Sequence, residues 1–210
     1  MRLPVLAMWV TSTLAIVGAE RRIRWLEVVF KPVTTLLLFA VIGVPHTTFA
    51  RLVTAGVALS VVGDVALLSD TNRAFMVGLA AFLLAHAAYV IAFVCVAVWS
   101  PHIVAVALVM LVSSVVLLRL TWEGAAGMHG PTIAYGAVIT TMVVSAFATV
   151  GGPLPMAPFA AVGAVLFYVS DSSLAINKFR RPIPHVALLA FGVYWLGQLG
   201  IALTAASSAP

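Results

Sequence analysis

Two aspartates lie within long apolar segments of the chain, where an acidic side chain is costly to place. Asp64 ends the run SVVGD at 60–64, and Asp171 lies in the run YVSDSS at 168–173. An acid at the centre of a membrane-spanning helix costs about 2.5–3.5 kcal/mol on insertion scales, so acids found there commonly serve a function. Two such acids can exchange protons with a bound molecule. The alternative is a neutral, hydrogen-bonded acid that only holds helices together, and we favour a shared polar site.

The two aspartates are predicted to lie at the same depth. Asp64 precedes Asp70, at the end of its apolar segment, by six residues, and Asp171 precedes Lys178 by seven. At a rise of 1.5 Å per residue, both lie roughly 9–10 Å from the same face of a helical bundle. Two neighbouring carboxylates in a low dielectric do not both ionise easily, so one would keep its proton and the two would titrate as a unit. The sequence does not tell which of them is the acid.

Polar side chains in two other apolar segments are further candidates. His86 and Tyr89 lie one turn apart, and Tyr194 and Gln198 lie at i and i+4 on one helix face. Side chains at this spacing are neighbours on a helix surface. Each pair could bind a substrate or position water, or could form hydrogen bonds between helices.

Two lysines and an asparagine lie where apolar segments reach the membrane surface. Lys31, followed by Pro32, is expected in the first turn of the second segment, and Asn177 and Lys178 end the seventh. Proline is ordinary in a first helical turn, and a lysine there often extends to headgroups without a specific role. Either lysine could instead hold a lipid phosphate, and Asn177 could cap its helix.

The composition identifies the environment of these residues. Of the 210 residues, 63% are hydrophobic and 8% are charged, and the mean hydropathy is +1.18. A soluble domain carries roughly 25% charged residues, so a water-soluble globule is excluded. The single cysteine, Cys95, provides neither a disulfide nor a cysteine zinc site. Although the net charge is +5, the basic residues are expected to face lipid headgroups, and no nucleic-acid partner is expected.

Eight stretches of the chain are long enough to cross a bilayer, which takes about 20 mostly apolar residues. They are residues 3–19, 28–45, 52–69, 74–98, 102–120, 131–150, 157–177 and 185–206. The segments between them are short and contain proline and glycine, and none could form a separate domain. The sequence therefore predicts an all-α, polytopic bundle of about eight transmembrane helices, which forms one domain over residues 1–210.

Lysine and arginine fall almost entirely on one side of this bundle. The other side carries only Arg2 and Arg51. The odd-numbered loops and adjoining helix ends carry the remaining nine, which are Arg21, Arg22, Arg24, Lys31, Arg73, Arg119, Lys178, Arg180 and Arg181. Because basic loops stay in the cytoplasm, both termini are predicted outside it, in a multi-pass protein of a bacterial cytoplasmic membrane.

Several common sequence motifs of catalysis and transport are missing. The chain contains no His-Glu-x-x-His zinc pair, no Gly-x-Ser-x-Gly elbow and no Walker glycine loop. It also lacks the paired mid-span glycine or proline breaks of many ion-coupled transporters. We therefore expect neither a metal ion nor a cofactor.

Six segments together resemble the YhhN family, whose characterised members are lysoplasmalogenases. Each segment is a weak motif alone, but they occur in the family's order, and residues 99–160 add little. The segments are FKPVTT (30–35), SVVGD (60–64), the run from FMVGL to AHAAY (75–89), LFYVSD (166–171), AINKF (175–179) and YWLGQL (194–199).

The resemblance implies a membrane enzyme that hydrolyses the vinyl-ether bond of a lysophospholipid substrate, releasing a fatty aldehyde and a glycerophospho-headgroup. Asp64 and Asp171 would be the catalytic pair, comparable to the two carboxyls that glycosidases use with a similar cationic transition state. Lys31 and Lys178 would hold the phosphate. The remaining substrate-binding candidates are His86, Tyr89, Asn177, Tyr194 and Gln198.

Two other classes of function stay open at this point. One is a small-solute or proton-coupled transporter, in which the two aspartates would relay protons. The other is a non-catalytic lipid-binding membrane protein built on the same bundle. Membrane lipids are the expected surroundings in every case, and the sequence does not predict the oligomeric state.

Overall fold

A computed structural model of the chain describes residues 2–208, and this part of the chain forms eight α-helices. All eight are long and apolar enough to cross a membrane, so the prediction of an all-α bundle is confirmed for these residues, and the chain is a multi-pass integral membrane protein. Residues 1, 209 and 210 of the predicted domain lie outside the described residues. The helices are α1 (Arg2–Glu20), α2 (Arg24–Ile42), α3 (Thr48–Ala66), α4 (Asn72–Val94), α5 (His102–Thr121), α6 (His129–Phe147), α7 (Ala157–Phe179) and α8 (Val186–Ala206).

The second helix begins earlier than hydropathy predicts. Its first turn contains Arg24 and Glu27, with Arg24 Nη1 3.5 Å from Glu27 Oε2. Because charged residues lower the local hydropathy, this turn is predicted as part of the preceding loop. Lys31 and Pro32 therefore lie about two turns inside α2, and the expectation that they occupy its first turn is wrong. Within a helix, proline removes one backbone hydrogen bond from the preceding turn.

The third helix is displaced relative to its predicted span because threonine caps its start. Thr47 Oγ1 accepts the amide hydrogen of Ala50 at 3.1 Å, which satisfies one of the free donors at a helix N-terminus. The helix then ends at Ala66, although the apolar residues Leu67 and Leu68 continue the hydropathy signal. As a consequence, Asp64 lies in the last turn of α3.

Five helices form a closed ring around the interior of the bundle. In this ring α3 packs against α4, α4 against α6, α6 against α7, α7 against α8, and α8 against α3. Outside it, α1 and α2 lie against α8, with α2 also against α3, and α5 lies against α6 and α7. The outer face of α5 exposes a row of apolar side chains, as a lipid-facing helix does: Val104, Leu108, Leu111, Val112, Val115 and Val116.

Two glycines allow α7 and α8 to approach closely. A Cβ placed on Gly163 would lie 2.5 Å from the carbonyl oxygen of Gly197, and one on Gly197 would lie 2.6 Å from the carbonyl oxygen of Gly163. Small residues at such contacts are typical of membrane helices, because the backbones can then pack directly. This contact lets α7, which carries Asp171, pack closely against α8, which carries Tyr194.

Candidate active site

A cavity of about 150 Å³ lies inside the bundle, toward the ends of the helices that adjoin the odd-numbered loops. Both Asp64 and Asp171 line it, so the structure brings the two intramembrane acids to one site. The rest of its wall is largely apolar, so the two carboxyl groups are the acidic groups available to a molecule in the cavity. Apolar side chains of the wall include Leu79, Phe82, Leu117, Leu118, Ile139 and Leu174.

Asp64 is held by helices on both sides of α3. Its Oδ2 accepts hydrogen bonds from the hydroxyls of Thr35 (2.6 Å) and Tyr194 (3.0 Å). The ammonium nitrogen of Lys31 lies 4.0 Å from its Oδ1. Thr35 is fixed in turn by Trp195, whose indole N–H donates to its hydroxyl oxygen at 3.1 Å. Two hydroxyl donors and one ammonium group therefore surround this single carboxyl group.

Asp171 has fewer donors and more contact with the cavity. Its Oδ2 accepts one hydrogen bond, from the hydroxyl of Tyr135 at 2.5 Å, and His86 Nε2 lies 3.7 Å from the same oxygen. The side chain of Asp171 is 15% exposed, whereas that of Asp64 is 2% exposed. Of the two carboxyls, Asp171 is therefore the one that a molecule in the cavity meets more directly.

The two lysines predicted to hold a phosphate occupy different environments. Lys31 is buried, with its ammonium nitrogen 4.7 Å from the centroid of the Phe191 ring and directed toward Asp64 rather than toward the membrane surface. Lys178 is exposed and lines the outer end of the cavity. Its ammonium nitrogen lies 4.0 Å from the centroid of the Phe75 ring, a favourable cation–π contact. The geometry therefore separates the two residues, because Lys31 is buried beside Asp64 and Lys178 is exposed.

Tyr89 and Gln198 lie behind the cavity wall and support Tyr194. Gln198 Nε2 donates to the hydroxyl oxygens of Ser60 (2.9 Å) and Tyr194 (3.4 Å). The hydroxyl of Tyr89 donates to Gln198 Oε1 at 2.7 Å. Because all of these side chains are buried, the network orients the Tyr194 hydroxyl that donates to Asp64.

Asn177 lies at the end of α7, and its side chain points into the following turn. Its Oδ1 accepts the amide hydrogen of Ile183 at 2.9 Å. This bond fixes the connection between α7 and α8, so Asn177 is bonded to the backbone rather than directed at the two aspartates.

Tyr135 is a functional candidate that sequence reasoning missed. It lies in residues 99–160, which carry little of the family resemblance, and its apolar neighbours gave it no motif. One signal was available, which is a similar depth from the side of the odd-numbered loops. Tyr135 follows the start of α6 at His129 by six residues, and Asp171 precedes the end of α7 by eight. A polar aromatic residue at this depth is expected near the acids. Thr35 and Trp195 lie in motif segments, but their hydroxyl and indole groups were not assigned roles.

A group of hydroxyls joins the outer helix to the ring on the far side of the cavity. The hydroxyl oxygen of Tyr168 lies 3.0 Å from Ser113 Oγ and 3.2 Å from Ser114 Oγ. Ser114 Oγ lies 2.5 Å from Thr140 Oγ1. These bonds anchor α5 to α6 and α7, and Ser114 and Tyr168 also line the cavity.

Residues 2–208 thus define a class of protein: a polytopic helical membrane protein with two carboxyls facing one internal cavity. Within these residues, no group of three or more His, Cys, Asp or Glu side chains could hold a metal ion. The model of the YhhN family matches residues 26–205. The chain belongs to the YhhN family, as its motifs predicted.

Curated relatives match most of the chain. Lysoplasmalogenase TMEM86B from Homo sapiens is 32% identical over 196 residues, which cover 90% of this chain and 79% of the relative. Lysoplasmalogenase TMEM86B from Rattus norvegicus is 30% identical and covers 90% and 77% of the two chains. Lysoplasmalogenase TMEM86A from Homo sapiens is 30% identical and covers 73% and 64%. These relatives confirm the prediction of a lysoplasmalogenase-like enzyme. No solved structure matches the chain.

Proposed function

We propose that this protein hydrolyses the vinyl-ether bond of lysoplasmalogens, or of a closely related lysolipid, within a bacterial cytoplasmic membrane. The observation that carries the proposal is the placement of two intramembrane carboxyls, Asp64 and Asp171, at one largely apolar cavity. Relatives that are about 30% identical and are named as lysoplasmalogenases support the substrate class. A single-chain lipid suits a cavity of this kind, because its tail can lie along the apolar wall.

The proposed reaction begins with a proton. A carboxylic acid donates it to the alkene carbon next to the ether-bearing carbon, so that a C–H bond forms and an oxocarbenium ion results. Water attacks this cation and releases a proton, and the hemiacetal collapses to the fatty aldehyde and a free glycerol hydroxyl. General acid–base catalysis of this type contributes roughly 10²–10⁴-fold to a rate, and a fixed negative charge stabilises the cation further.

The hydrogen bonds support different roles for the two acids. Asp64 accepts two hydroxyl donors and faces the ammonium of Lys31, so we assign it as the carboxylate that stabilises the cation. Asp171 accepts one hydroxyl and is the more exposed to the cavity, so we assign it as the proton donor. After the first step, the Asp171 carboxylate is in place to accept the proton that the attacking water releases.

The position of Lys178 supports an orientation for the substrate. Lys178 follows Asp171 by seven residues on α7, which corresponds to roughly 10 Å along the helix axis. A phosphate held by Lys178 would place the glycerol ether near Asp171, and the tail would extend along the apolar wall. The substrate would then enter from the leaflet that adjoins the odd-numbered loops.

The experiment that tests this function is turnover by the detergent-purified protein. Lysoplasmenylcholine is incubated with wild type and with Asp171→Asn, and the lipids are analysed by mass spectrometry. The expected result is release of the fatty aldehyde and glycerophosphocholine by wild type, at a rate that the variant lowers by about 10²-fold or more. The saturated alkyl-ether lysolipid, which has no alkene to protonate, is the substrate control.

Two outcomes would overturn the proposal. Intact lipid after incubation with correctly folded wild type would remove the enzymatic function and leave a lipid-binding protein. Uptake of a solute into sealed vesicles without chemical change, abolished by either aspartate variant, would favour a transporter instead.

A further inference from the structure

His86 is buried in the bundle with both ring nitrogens unpaired. It is fully buried on α4, and neither Nδ1 nor Nε2 has a hydrogen-bond partner. The ring contacts Phe167 with a centroid separation of 4.5 Å and Tyr135 with one of 5.3 Å, both edge to face. Buried polar atoms are nearly always hydrogen-bonded. A buried polar atom that lacks a hydrogen bond often marks a catalytic role.

The carboxyl group of Asp171 lies beside this ring and supplies the partner. His86 Nε2 lies 3.7 Å from Asp171 Oδ2, the same oxygen that accepts the hydroxyl of Tyr135. A movement of about 0.8 Å would bring the pair to the usual length of an N–H···O bond. The edge-to-face contacts with Phe167 and Tyr135 pack the ring beside Asp171.

We propose that His86 is a positioning residue of the reaction, which donates from Nε2 to Asp171 Oδ2 when Asp171 becomes a carboxylate. This inference rests on the proposed function and adds a residue to it. It gives the unpaired histidine a partner at the stage of the reaction when negative charge develops beside it.

The steps follow from the atoms present. In the resting state Asp171 carries a proton, and one donor, Tyr135, satisfies its Oδ2. When the Asp171 O–H bond breaks and a C–H bond forms on the substrate, the electron pair stays on the carboxyl. His86 and Tyr135 then donate to the new carboxylate from two sides. When the attacking water returns a proton to Asp171, the bond to His86 lengthens again, and neither His86 nor Tyr135 changes its own proton count.

The test is a double-mutant cycle between His86 and Asp171. His86→Phe keeps an aromatic ring against Phe167 and removes only the nitrogens. We expect kcat to fall about 10- to 100-fold with KM within about twofold of wild type, because the lost bond forms only after substrate binds. In the Asp171→Asn background the same change should lower the residual rate by less than twofold, since the two residues act as a unit.

His86→Gln and His102→Phe serve as companion variants. Glutamine offers an amide donor and should recover at least part of the lost kcat. His102 lies at the start of α5, and its ring nitrogens contact the Ser100 hydroxyl and the carbonyl oxygen of Phe147 rather than either aspartate. Replacing His102 with phenylalanine should therefore leave kcat unchanged. A His86→Phe variant with wild-type kcat, or an equal loss in both backgrounds, would overturn the proposal.

An infrared measurement separates this inference from the proposed function. At high pH, where Asp171 is ionised, its antisymmetric carboxylate stretch is recorded in the infrared spectrum of wild type. The band is assigned to Asp171 because it is missing from the spectrum of Asp171→Asn. A shift of this band in His86→Phe supports the contact even when no substrate turns over. If wild type cleaves no lysolipid, the proposed function fails alone, whereas an unshifted band removes the role of His86.

Discussion

The ammonium nitrogen of Lys31 lies 4.0 Å from Asp64 Oδ1, and both side chains are at least nine-tenths buried, at 5% and 2% exposed. This pair joins α2 to the end of α3 inside the membrane. A buried ion pair is tolerated because each charge compensates the other, and removing one partner leaves an uncompensated charge. The contact places an ammonium group beside Asp64, which lines the cavity.

Removal of Lys31 alone is therefore expected to destabilise the protein. Lys31→Met leaves Asp64 buried without a counter-ion, and breaking a buried pair in this way costs about 3–5 kcal/mol. Lys31→Met combined with Asp64→Asn removes both charges and should recover most of the thermal stability in detergent, but not the activity. Lys178→Met, which removes an exposed lysine, is the stability control. A single variant as stable as wild type would mean that the pair does not compensate charge.

Lys178 is expected to contribute to substrate binding rather than to chemistry. It lies exposed at the outer end of the cavity, where it would contact a group that does not react. Lys178→Met should raise KM about 10-fold, equivalent to about 1.4 kcal/mol, with little change in kcat. Lys178→Arg should retain most of the binding. The control is Arg181→Met, which removes an exposed charge just beyond the same helix end, and an equal rise in KM there would indicate a general surface effect.

The glycine contact between α7 and α8 predicts a stability difference between two similar substitutions. Gly163→Ala would place a Cβ 2.5 Å from the Gly197 carbonyl oxygen, so the helices must separate. We expect a loss of roughly 1–3 kcal/mol, with reduced activity, because Asp171 and Tyr194 move apart. Gly192→Ala, also in the bundle, has open space at its Cβ and should be neutral or stabilising by up to about 1 kcal/mol. Thermal unfolding of both variants in detergent checks the difference.

The distribution of basic residues predicts which loops face the cytoplasm. Single cysteines placed at Arg22 and at Arg181, in a Cys95→Ala background, should resist impermeant thiol reagents in intact cells and react in inverted vesicles. A cysteine placed at His46, on the opposite side, is the control and should react from outside. Labelling of the first two positions from outside would reverse the orientation and move the substrate's entry to the other leaflet.

The number of helices and the two acids that share the cavity could be predicted because membrane insertion selects strongly on composition. Apolar length marks every span, and Asp64 and Asp171 stand out because an intramembrane acid is costly. The ends of α2 and α3 were predicted less well, since the charged first turn of α2 and the apolar residues after α3 both mislead hydropathy.

The partners of the acids could not be predicted in the same way. Lys31 resembles any lysine near a membrane surface until the packing of α2 against α3 places it beside Asp64. Tyr135 carries no motif, and its contact with Asp171 depends on how α6 packs against α7. Such pairings are set by tertiary packing between distant segments, which a single sequence does not specify.

The different hydrogen-bond environments of the two aspartates predict that their asparagine variants fail in different ways. Asp171→Asn replaces the proposed proton donor with a neutral amide of nearly equal volume. It should therefore fold normally and lose about 10²–10⁴-fold in kcat, because it has no proton to donate. Asp64→Asn should also lose activity, but it leaves Lys31 buried without its partner, and its thermal stability should fall as well.

A cationic inhibitor distinguishes the two roles directly. A lysolipid analogue with an ammonium nitrogen in place of the reacting carbon resembles the oxocarbenium ion, and it should bind more tightly than its neutral ether counterpart. This preference should disappear in Asp64→Asn, which lacks the negative charge, and persist in Asp171→Asn. Isothermal titration of both ligands against wild type and the two variants measures it. The reverse pattern would exchange the roles of the two residues, and a preference retained in both variants would mean that neither carboxyl faces the cation.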